Sequence, residues 1–255
     1  MKEKQYQGNI NLLLLAPAYE LSDMKPKHTL KLLLSGIYVK IRSGPLKGKK
    51  WSIASGYKFI RGNYEQYKTD AFLDHFKSGS VFFDIGAHIG YYSSIAAVIN
   101  GSAGHIFAFE PRPMNIKFFK KHVGVNKFQN ITLFEAAAGV NDGMVRFDDK
   151  HGSATGFVTR EGNLEVKQLS VGRMIKDGTL PMPGFIKIDV EGGEREVLAD
   201  LSYIISYARP GMLVATHGKE CREYTENFLA QNNYSFRVLN PEAVSGDTEI
   251  IAIPV

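Results

Sequence analysis

The amino-acid sequence predicts an α/β protein whose central sheet is mostly parallel. Beyond residue 80, short apolar runs of strand length alternate with amphipathic stretches of helix length, which is the pattern of a parallel sheet with crossover helices. The first run, 81–85, is apolar apart from one acid, as expected of a strand buried on both faces. Gly86 and Gly90 then form a turn, and 89–98 is typical of a helix.

Periodicity and turn residues delimit the other elements. Later strands are predicted at 105–110, 131–138, 144–148, 185–190 and 212–216, with a hairpin over 156–170 and a closing strand pair at 235–239 and 249–255. Helices are predicted at 113–123, 171–176, 194–206 and 219–231. Upstream, glycine and proline breakers separate strands near 37–42 and 50–54, and a helix at 65–76 leads to the first strand of the sheet.

The 255 residues suffice for one α/β domain with an extension. We divide them into a basic N-terminal extension, 1–75, and a domain at 76–255 that contains the sheet. Residues 1–70 hold 13 Lys+Arg and 5 Asp+Glu, whereas the whole chain has a net charge of +5. This basic region suggests contacts with an anionic substrate, a membrane surface, nucleic acid or another subunit, although a solvated lysine-rich surface is the simpler explanation.

Cysteine content and hydropathy bound the environment of the chain. Cys221 is its single cysteine, so no intrachain disulfide can form, which fits a reducing compartment and suggests a cytoplasmic protein. No stretch reaches the roughly 18 apolar residues of a membrane span, so we expect none.

The run from Asp84 to Gly90 carries the first functional motif. A glycine turn between a strand and a helix lets the backbone approach a nucleotide-like ligand, and free N–H groups point at it. The spacing G-x-x-x-G is not the dinucleotide fingerprint, and Asp84 would repel a pyrophosphate. S-adenosylmethionine suits it, because that ligand has an ammonium, a sulfonium and a ribose but no phosphate. The same spacing also occurs as plain turn chemistry.

Glu110 ends the second strand of the sheet, 20 residues after Gly90, and should share the edge of Asp84. An acid at this place accepts hydrogen bonds from the ribose hydroxyls of an adenosine. The alternative is a surface glutamate before a helix that begins after Pro111.

Asp189 ends the strand at 185–190 and is followed by Glu191 and Glu194. Carboxylates at this edge of a sheet lie in the crevice where α/β proteins bind ligands. Asp189 could contact the methionine part of the cofactor, orient the acceptor or act as a base. The two glutamates could instead cap the following helix, where its dipole favours negative charge.

These motifs together resemble the FkbM family of S-adenosylmethionine-dependent methyltransferases. The matching runs are DIGAHIGYYS, FAFEPRP and FIKIDVEGGEREVL, the last being the most specific, and the resemblance covers roughly residues 60–240. The Tyr-Glu pair that commonly precedes the family's first motif is matched by Tyr64-Glu65. Two departures stand out. His88 replaces the usual Asn. The acid that often follows the third strand and holds the adenine amine has no clear match: Glu135 is the nearest acid, and the backbone of 136–138 could serve instead.

The resemblance implies a Rossmann-like seven-stranded methyltransferase sheet, mostly parallel, with an antiparallel last strand. It also implies S-adenosylmethionine as cofactor and O-methylation of a sugar, glycan or polyketide-like hydroxyl. The residues expected to contact the cofactor are Glu65, Asp84, Gly86, Ala87, His88, Gly90, Glu110, Pro111 and Ala137. We expect a small-molecule or glycan acceptor, with an anionic group suggested by the basic first quarter of the chain.

Methyl transfer is an in-line displacement, so catalysis is mostly positioning. A sugar hydroxyl is barely ionised at neutral pH, and a general base therefore helps. Asp189 and His217 are the predicted catalytic residues, with His88 a third candidate base. His151 and Ser153 lie in a loop that could shape the acceptor pocket, although an ordinary solvated loop also explains them.

A metal site is a further alternative. Asp189, Glu191, Glu194 and His217 offer oxygen and nitrogen donors that could converge on an ion. Because no spacing demands it, we predict no required metal.

Two other functions remain open. The basic N-terminal region suggests a nucleic-acid methyltransferase, but the sequence has no Pro-Cys pair and no Asn/Asp-Pro-Pro-aromatic motif, so nucleic acid is the less favoured acceptor. A non-catalytic cofactor-binding protein is the other alternative. Retention of all the acidic and glycine anchor residues speaks against it.

Overall fold

The computed structural model describes residues 33–149, 156–241 and 247–255. They form two compact units, one ending at Gly62 and the other starting at Asn63. This division lies upstream of the boundary predicted at residue 75, so the helix that leads to the sheet belongs to the second unit. The predicted loop residues His151 and Ser153 lie outside the described part of the chain.

The first unit is built on a two-stranded antiparallel ribbon. Strand β1 (Tyr38–Lys40) pairs with β2 (Lys50–Ser52), and helix α1 (Tyr57–Arg61) follows. Trp51 is fully buried, and its ring centroid lies 6.1 Å from that of Phe59. Both strands predicted in this region are present.

The second unit contains the alternating strands and helices. Its strands are β3 (Phe82–Ile85), β4 (Ile106–Phe109), β5 (Ile131–Phe134), β6 (Ala137–Ala138), β7 (Gly143–Asp148), β8 (Phe157–Val158), β9 (Leu164–Leu169), β10 (Phe185–Ile188), β11 (Gly211–Thr216), β12 (Tyr234–Val238) and β13 (Thr248–Pro254). Its helices are α2 (Gln66–His75), α3 (Tyr91–Asn100), α4 (Pro113–Asn126), α5 (Val171–Lys176), α6 (Glu194–Ala208) and α7 (Lys219–Gln231). None of the described helices is long and apolar enough to cross a membrane.

Seven strands form the central sheet, in the order β12-β13-β11-β10-β3-β4-β5. Neighbouring strands are parallel except at β13, which runs antiparallel to both β11 and β12. The predicted α/β sheet with an antiparallel last strand is therefore confirmed. The chain leaves β3 toward β4 and later returns to β10 on the other side of β3. Ligands of such sheets bind at the carboxyl ends of the strands, where the strand order reverses.

The two faces of β3 and β10 have different partners, because successive side chains point to opposite faces. Phe83 and Ile186 belong to a hydrophobic cluster with the buried stripe of α6, formed by Val197, Leu198, Leu201, Ile204 and Ile205. Phe82 and Phe185 pack against Phe72 of α2, with ring centroids 5.3 and 5.4 Å apart. Burial of each such side chain contributes about 1.5–3 kcal/mol.

The strand predicted at 131–138 is wrong in its extent. β5 remains in the central sheet, whereas β6 pairs with β9 in a second sheet of order β6-β9-β7-β8. The run between them contains neither glycine nor proline, so nothing in its composition marks the bend.

The hairpin predicted over 156–170 is also wrong. β8 and β9 do not pair with each other, and both pair with β7 on its two edges. The turn between them lies against β7, since a Cβ added at Gly162 would sit 2.4 Å from the Phe147 nitrogen. The turn residues therefore indicate a chain reversal, as observed. However, β9 pairs with the six-residue β7, which is a longer partner than the two-residue β8.

Candidate active site

The predicted site residues gather at the carboxyl edge of the central sheet. Asp84 lies in β3, Glu110 follows β4, and Asp189 follows β10, which are three adjacent parallel strands. A Cβ added at Gly86 would lie 1.8 Å from the Asp189 carbonyl oxygen, and φ at Gly86 is +78°. Only glycine tolerates both conditions. Gly86 therefore allows the close backbone contact that brings the turn after β3 against the end of β10.

Hydrogen bonds within the fold hold the backbone of this turn. The Gly86 and Ala87 N–H groups both donate to the Phe109 carbonyl, at 3.0 and 2.9 Å. The sequence predicted that free N–H groups of this turn would point at the ligand. The Gly86 and Ala87 N–H groups are already bonded within the fold, so they do not fill that role. Gly90 serves close packing instead, because an added Cβ would lie 2.8 Å from the Phe119 ring.

His88 adopts the left-handed backbone conformation, with φ of 52°. Its N–H donates to Glu110 Oε2 at 2.8 Å. Among non-glycine residues, Asn, Asp and His are enriched in this region of backbone space. A His at this position therefore fits the backbone conformation, as the Asn expected from the family resemblance would.

Glu110 is almost fully buried and its carboxylate is fixed in place. Besides the His88 N–H, it accepts hydrogen bonds from the Arg112 N–H at 3.0 Å and from Asn115 Nδ2 at 3.1 Å. Burial raises its pKa to about 7, although these three donors oppose the rise. A carboxylate has about four acceptor positions, so capacity remains for a ribose hydroxyl.

Asp84 is fully buried and internally paired. Ser93 Oγ donates to its Oδ2 at 2.6 Å, and Lys187 Nζ lies 3.2 Å from its Oδ1. Lys187 also donates to the Gly86 carbonyl at 3.0 Å. Asp84 is therefore joined through Lys187 to the backbone of the glycine turn, and its direct contact with the cofactor stays a prediction.

Lys68 of α2 is a second buried lysine at this edge, and it was not predicted from the sequence. Its Nζ lies 2.9 Å from Asp189 Oδ2, 3.4 Å from Glu65 Oε2 and 3.9 Å from Glu249 Oε1. The hydroxyl of Tyr92 also donates to Glu65, at 3.3 Å. No sequence motif marks Lys68. The other missed lysine, Lys187, had a signal, since a cation inside an apolar strand needs a partner.

Asp189 is held between the two lysines. Its Oδ2 lies 2.9 Å from Lys68 Nζ and 3.6 Å from Lys187 Nζ. Burial alone would raise the pKa of Asp189, but the charges of Lys68, Lys187 and His217 outweigh it and hold that pKa well below its usual range. Asp189 therefore stays ionised near neutral pH and is a weak base, and its carboxylate can still accept a hydrogen bond.

His217, which follows β11, faces three carboxylates. Its Nδ1 lies 2.9 Å from Glu194 Oε1, and its Nε2 lies 3.4 Å from Glu191 Oε2 and 3.9 Å from Asp189 Oδ1. Burial would lower its pKa, but the hydrogen bond to Glu194 and the surrounding negative charges raise it to about 9. Burial raises the pKa of Glu191 to about 7, with Asp189 adding to the rise and His217 opposing it.

Ion pairs connect these groups into one set, here called the Asp189 network. Its acids are Glu65, Asp84, Asp189, Glu191, Glu194 and Glu249, and its bases are Lys68, Lys187 and His217. Negative charge therefore exceeds positive charge at this edge among the described residues. An acid-rich edge fits a ligand with a sulfonium and an ammonium. Glu110, which follows β4 beside β3, fits the ribose of such a ligand.

Pro111 and Ala137 are not members of the Asp189 network. Pro111 lines an open cleft of about 450 Å³ together with Pro113, Ile116, Lys117, Lys120, Glu135, Glu165, Val166 and Lys167. Ala137 is buried in β6, whose partner β9 contributes the last three of these residues. Contact of Pro111 and Ala137 with the cofactor stays a prediction.

Comparison with known proteins agrees with this arrangement. Residues 84–238 match the methyltransferase FkbM domain. The chain is 24% identical to the hexuronic acid methyltransferase AglP of Haloferax volcanii over 182 residues, which cover 65% of this chain and 73% of that protein.

Solved structures share the fold. A methyltransferase FkbM from Methylobacillus flagellatus superposes with a TM-score of 0.55 at 19% identity, over 73% of this chain and 47% of the other. The chain thus spans about half the length of that protein. The precorrin-6y C5,15-methyltransferase of Geobacter metallireducens gives a TM-score of 0.50 at 17% identity, over 78% of this chain and 92% of the other. With its site and its fold in agreement with the family match, the chain belongs to the FkbM family of methyltransferases, which use S-adenosylmethionine as methyl donor.

Proposed function

We propose that this methyltransferase transfers a methyl group to a hydroxyl oxygen of a sugar or glycan. The observation that carries the proposal is the Asp189 network, in which a fixed carboxylate and an imidazole face one another at the sheet edge. The similarity to a relative that bears the name hexuronic acid methyltransferase favours a sugar over a polyketide-like acceptor.

The cofactor-binding residues follow from the chemistry of the donor set. Glu110 would accept from the ribose hydroxyls, and the turn from Gly86 to Gly90 would lie along the ligand. Glu65, in the acid-rich network beside Lys68, would attract the ammonium group. S-adenosylmethionine supplies a methyl group on a cationic sulfur, which is the electrophile of the reaction.

Asp189 and His217 have separate roles in this proposal. With its low pKa, Asp189 stays ionised and accepts a hydrogen bond from the acceptor hydroxyl, which orients the oxygen. His217 in its neutral form takes the proton as the C–O bond forms, and Glu194 holds the imidazole at Nδ1. With a pKa of about 9, His217 must first lose its own proton near neutral pH.

Charge at the site favours a neutral acceptor group over a carboxylate. Acids outnumber bases in the Asp189 network, so a further negative charge would be repelled; two like charges about 4 Å apart repel by about 4 kcal/mol at an effective dielectric constant of 20. The basic N-terminal region had suggested an anionic acceptor, but acids dominate the described site. A hydroxyl of a sugar enters without adding charge.

The experiment is a methylation assay with S-adenosylmethionine and matched pairs of hexosides and hexuronosides. We expect product formation with an alkali-stable methyl ether, and Asp189→Asn should reduce turnover far more than cofactor affinity. A methyl ester that mild alkali removes would show that the acceptor is a carboxylate. Methylation of RNA, or cofactor binding without turnover on any acceptor, would replace the proposal with one of its alternatives.

A further inference from the structure

We propose that Asp189, Glu191 and His217 form a binding site for a divalent cation at the sheet edge. One ligand atom from each residue lies within 4.8 Å of the other two. The three residues come from the carboxyl ends of β10 and β11, which are paired in parallel. The fold therefore explains why residues nearly 30 positions apart in the chain converge.

The spacing of the donor atoms is close to that of a coordination shell. His217 Nε2 lies 3.4 Å from Glu191 Oε2 and 3.9 Å from Asp189 Oδ1. Neighbouring ligands of an octahedral ion with bonds of about 2.1 Å are about 3 Å apart. Because the three ligand atoms all lie within 4.8 Å of one another, movements of about 1 Å or less per side chain would complete three ligand positions.

Glu194 provides an independent observation on the other side of the imidazole. Its side chain is fully buried and lies 2.9 Å from His217 Nδ1. Metal-ligating histidines almost always donate their second N–H to such a group, which fixes the ring and leaves the other nitrogen free to coordinate. Glu194 is itself anchored by the N–H groups of Val190 and Gly192 and by the Cys221 thiol. This support is more than a surface histidine requires.

The two oxygens of Asp189 have different surroundings. Oδ2 lies beside Lys68 and Lys187, whereas Oδ1 is the oxygen closer to His217 Nε2. The lysines therefore fix the carboxylate from one side and leave Oδ1 directed toward the proposed ion. They also offset part of its charge, so we expect moderate affinity.

The donor set selects among cations. Two carboxylate oxygens and one imidazole nitrogen suit Mn²⁺ or Zn²⁺ better than Ca²⁺, which takes six to eight oxygens.

Three protein ligands leave open positions for water or for an oxygen of the methyl acceptor. That use of the ion rests on the proposed function, whereas its binding does not. With the ion in place, His217 would serve as ligand, and the ion would activate the hydroxyl in place of the imidazole. The prediction that no metal is required would then be wrong.

Binding is tested with the chelator-treated full-length protein and Mn²⁺ alone, by following free Mn²⁺ with electron paramagnetic resonance. We expect one Mn²⁺ per chain, displaced by Zn²⁺. Glu191→Gln and His217→Gln should each weaken binding at least about tenfold, and Glu194→Gln by about 10–100-fold as a positioning residue. The matched control is Glu223→Gln, a carboxylate paired with Lys219 on the exposed face of α7, which should bind like the wild type.

Zn²⁺ titration of histidine-labelled protein provides a second readout, which identifies the nitrogen atom that binds the ion. The ¹⁵N resonance of His217 Nε2, identified by its loss in His217→Gln, should shift on addition of Zn²⁺. Unchanged Mn²⁺ binding in Glu191→Gln, or an unshifted His217 resonance, would overturn the assignment. Binding of Mn²⁺ without methylation of any acceptor would support the cation site and contradict the proposed function.

Discussion

At the scale of single residues, buried lysines organise the site. Lys68 and Lys187 both approach Asp189, and Lys187 also neutralises the fully buried Asp84. A buried charge is tolerated only with a partner, so each of these residues depends on the others. Together with His217, they account for the low pKa of Asp189 and therefore for its proposed role in orienting the acceptor.

Lys187→Met should destabilise the protein by about 3–5 kcal/mol, because it leaves Asp84 charged and unpaired in the interior. Urea unfolding measures the change. Lys219→Met is the control, since that lysine is exposed and its ion pair with Glu223 contributes about 0–1 kcal/mol. Asp84→Asn added to Lys187→Met should recover part of the loss. Equal destabilisation by the two lysine variants would contradict the interpretation.

Glu110 should make cofactor binding dependent on pH. Burial raises its pKa to about 7, and only the ionised form accepts fully from the ribose hydroxyls. Affinity for S-adenosylmethionine should therefore fall as the pH drops below 7, by up to about tenfold per pH unit. Calorimetry on the wild type and on Glu110→Gln tests this, because the variant should bind weakly at every pH in that range. An equally steep dependence in the variant would assign the titration to another group.

At the scale of elements, close contacts fix the turn between β3 and α3 against the end of β10. Gly86 allows their backbones to touch, and Lys187 ties Asp84 to the turn. The left-handed conformation of His88 directs its N–H to Glu110 and so connects β4 to the same turn. The three strand ends that form the site are thereby fixed relative to one another.

Gly86→Ala should destabilise the protein and weaken cofactor binding. The strained φ contributes about 1–3 kcal/mol, and the clash with the Asp189 carbonyl adds to it. Gly124→Ala is the matched control in α4, where an added Cβ meets no atom within 4 Å, and it should stabilise by about 0.5–1 kcal/mol. Thermal unfolding and calorimetry are the measurements. Similar unfolding temperatures and cofactor affinities in the two variants would show that the close contact at Gly86 contributes nothing to stability or binding.

At the scale of the whole molecule, the sheet and its site lie within the unit that starts at Asn63. Helix α2 belongs to that unit and supplies the fully buried Phe72 on one face of the sheet and Lys68 at the site. We therefore propose that the methyltransferase domain includes this helix, which the predicted boundary at residue 75 left out.

A fragment of residues 63–255 should unfold cooperatively in urea, whereas 76–255 should not fold stably. The shorter fragment loses Phe72, whose removal alone corresponds to about 3–5 kcal/mol. This is a large part of the 5–15 kcal/mol that stabilises a typical domain. It also leaves Asp189 without Lys68. Equal stability of the two fragments would support the boundary predicted at residue 75 instead.

The sequence by itself determined the order of the strands and helices of the central sheet and the positions of Asp84, Glu110 and Asp189 at one edge. Apolar periodicity and glycine turns are local, and parallel strands necessarily present their carboxyl ends together. Only the tertiary structure decided the contacts between distant segments. Lys68 meets Asp189 across 121 positions, and His217 meets Glu194 across 23. Strand pairing in the second sheet was likewise decided by packing, because the same turn residues permit more than one partner strand. Such contacts depend on how whole elements pack, which no local pattern specifies.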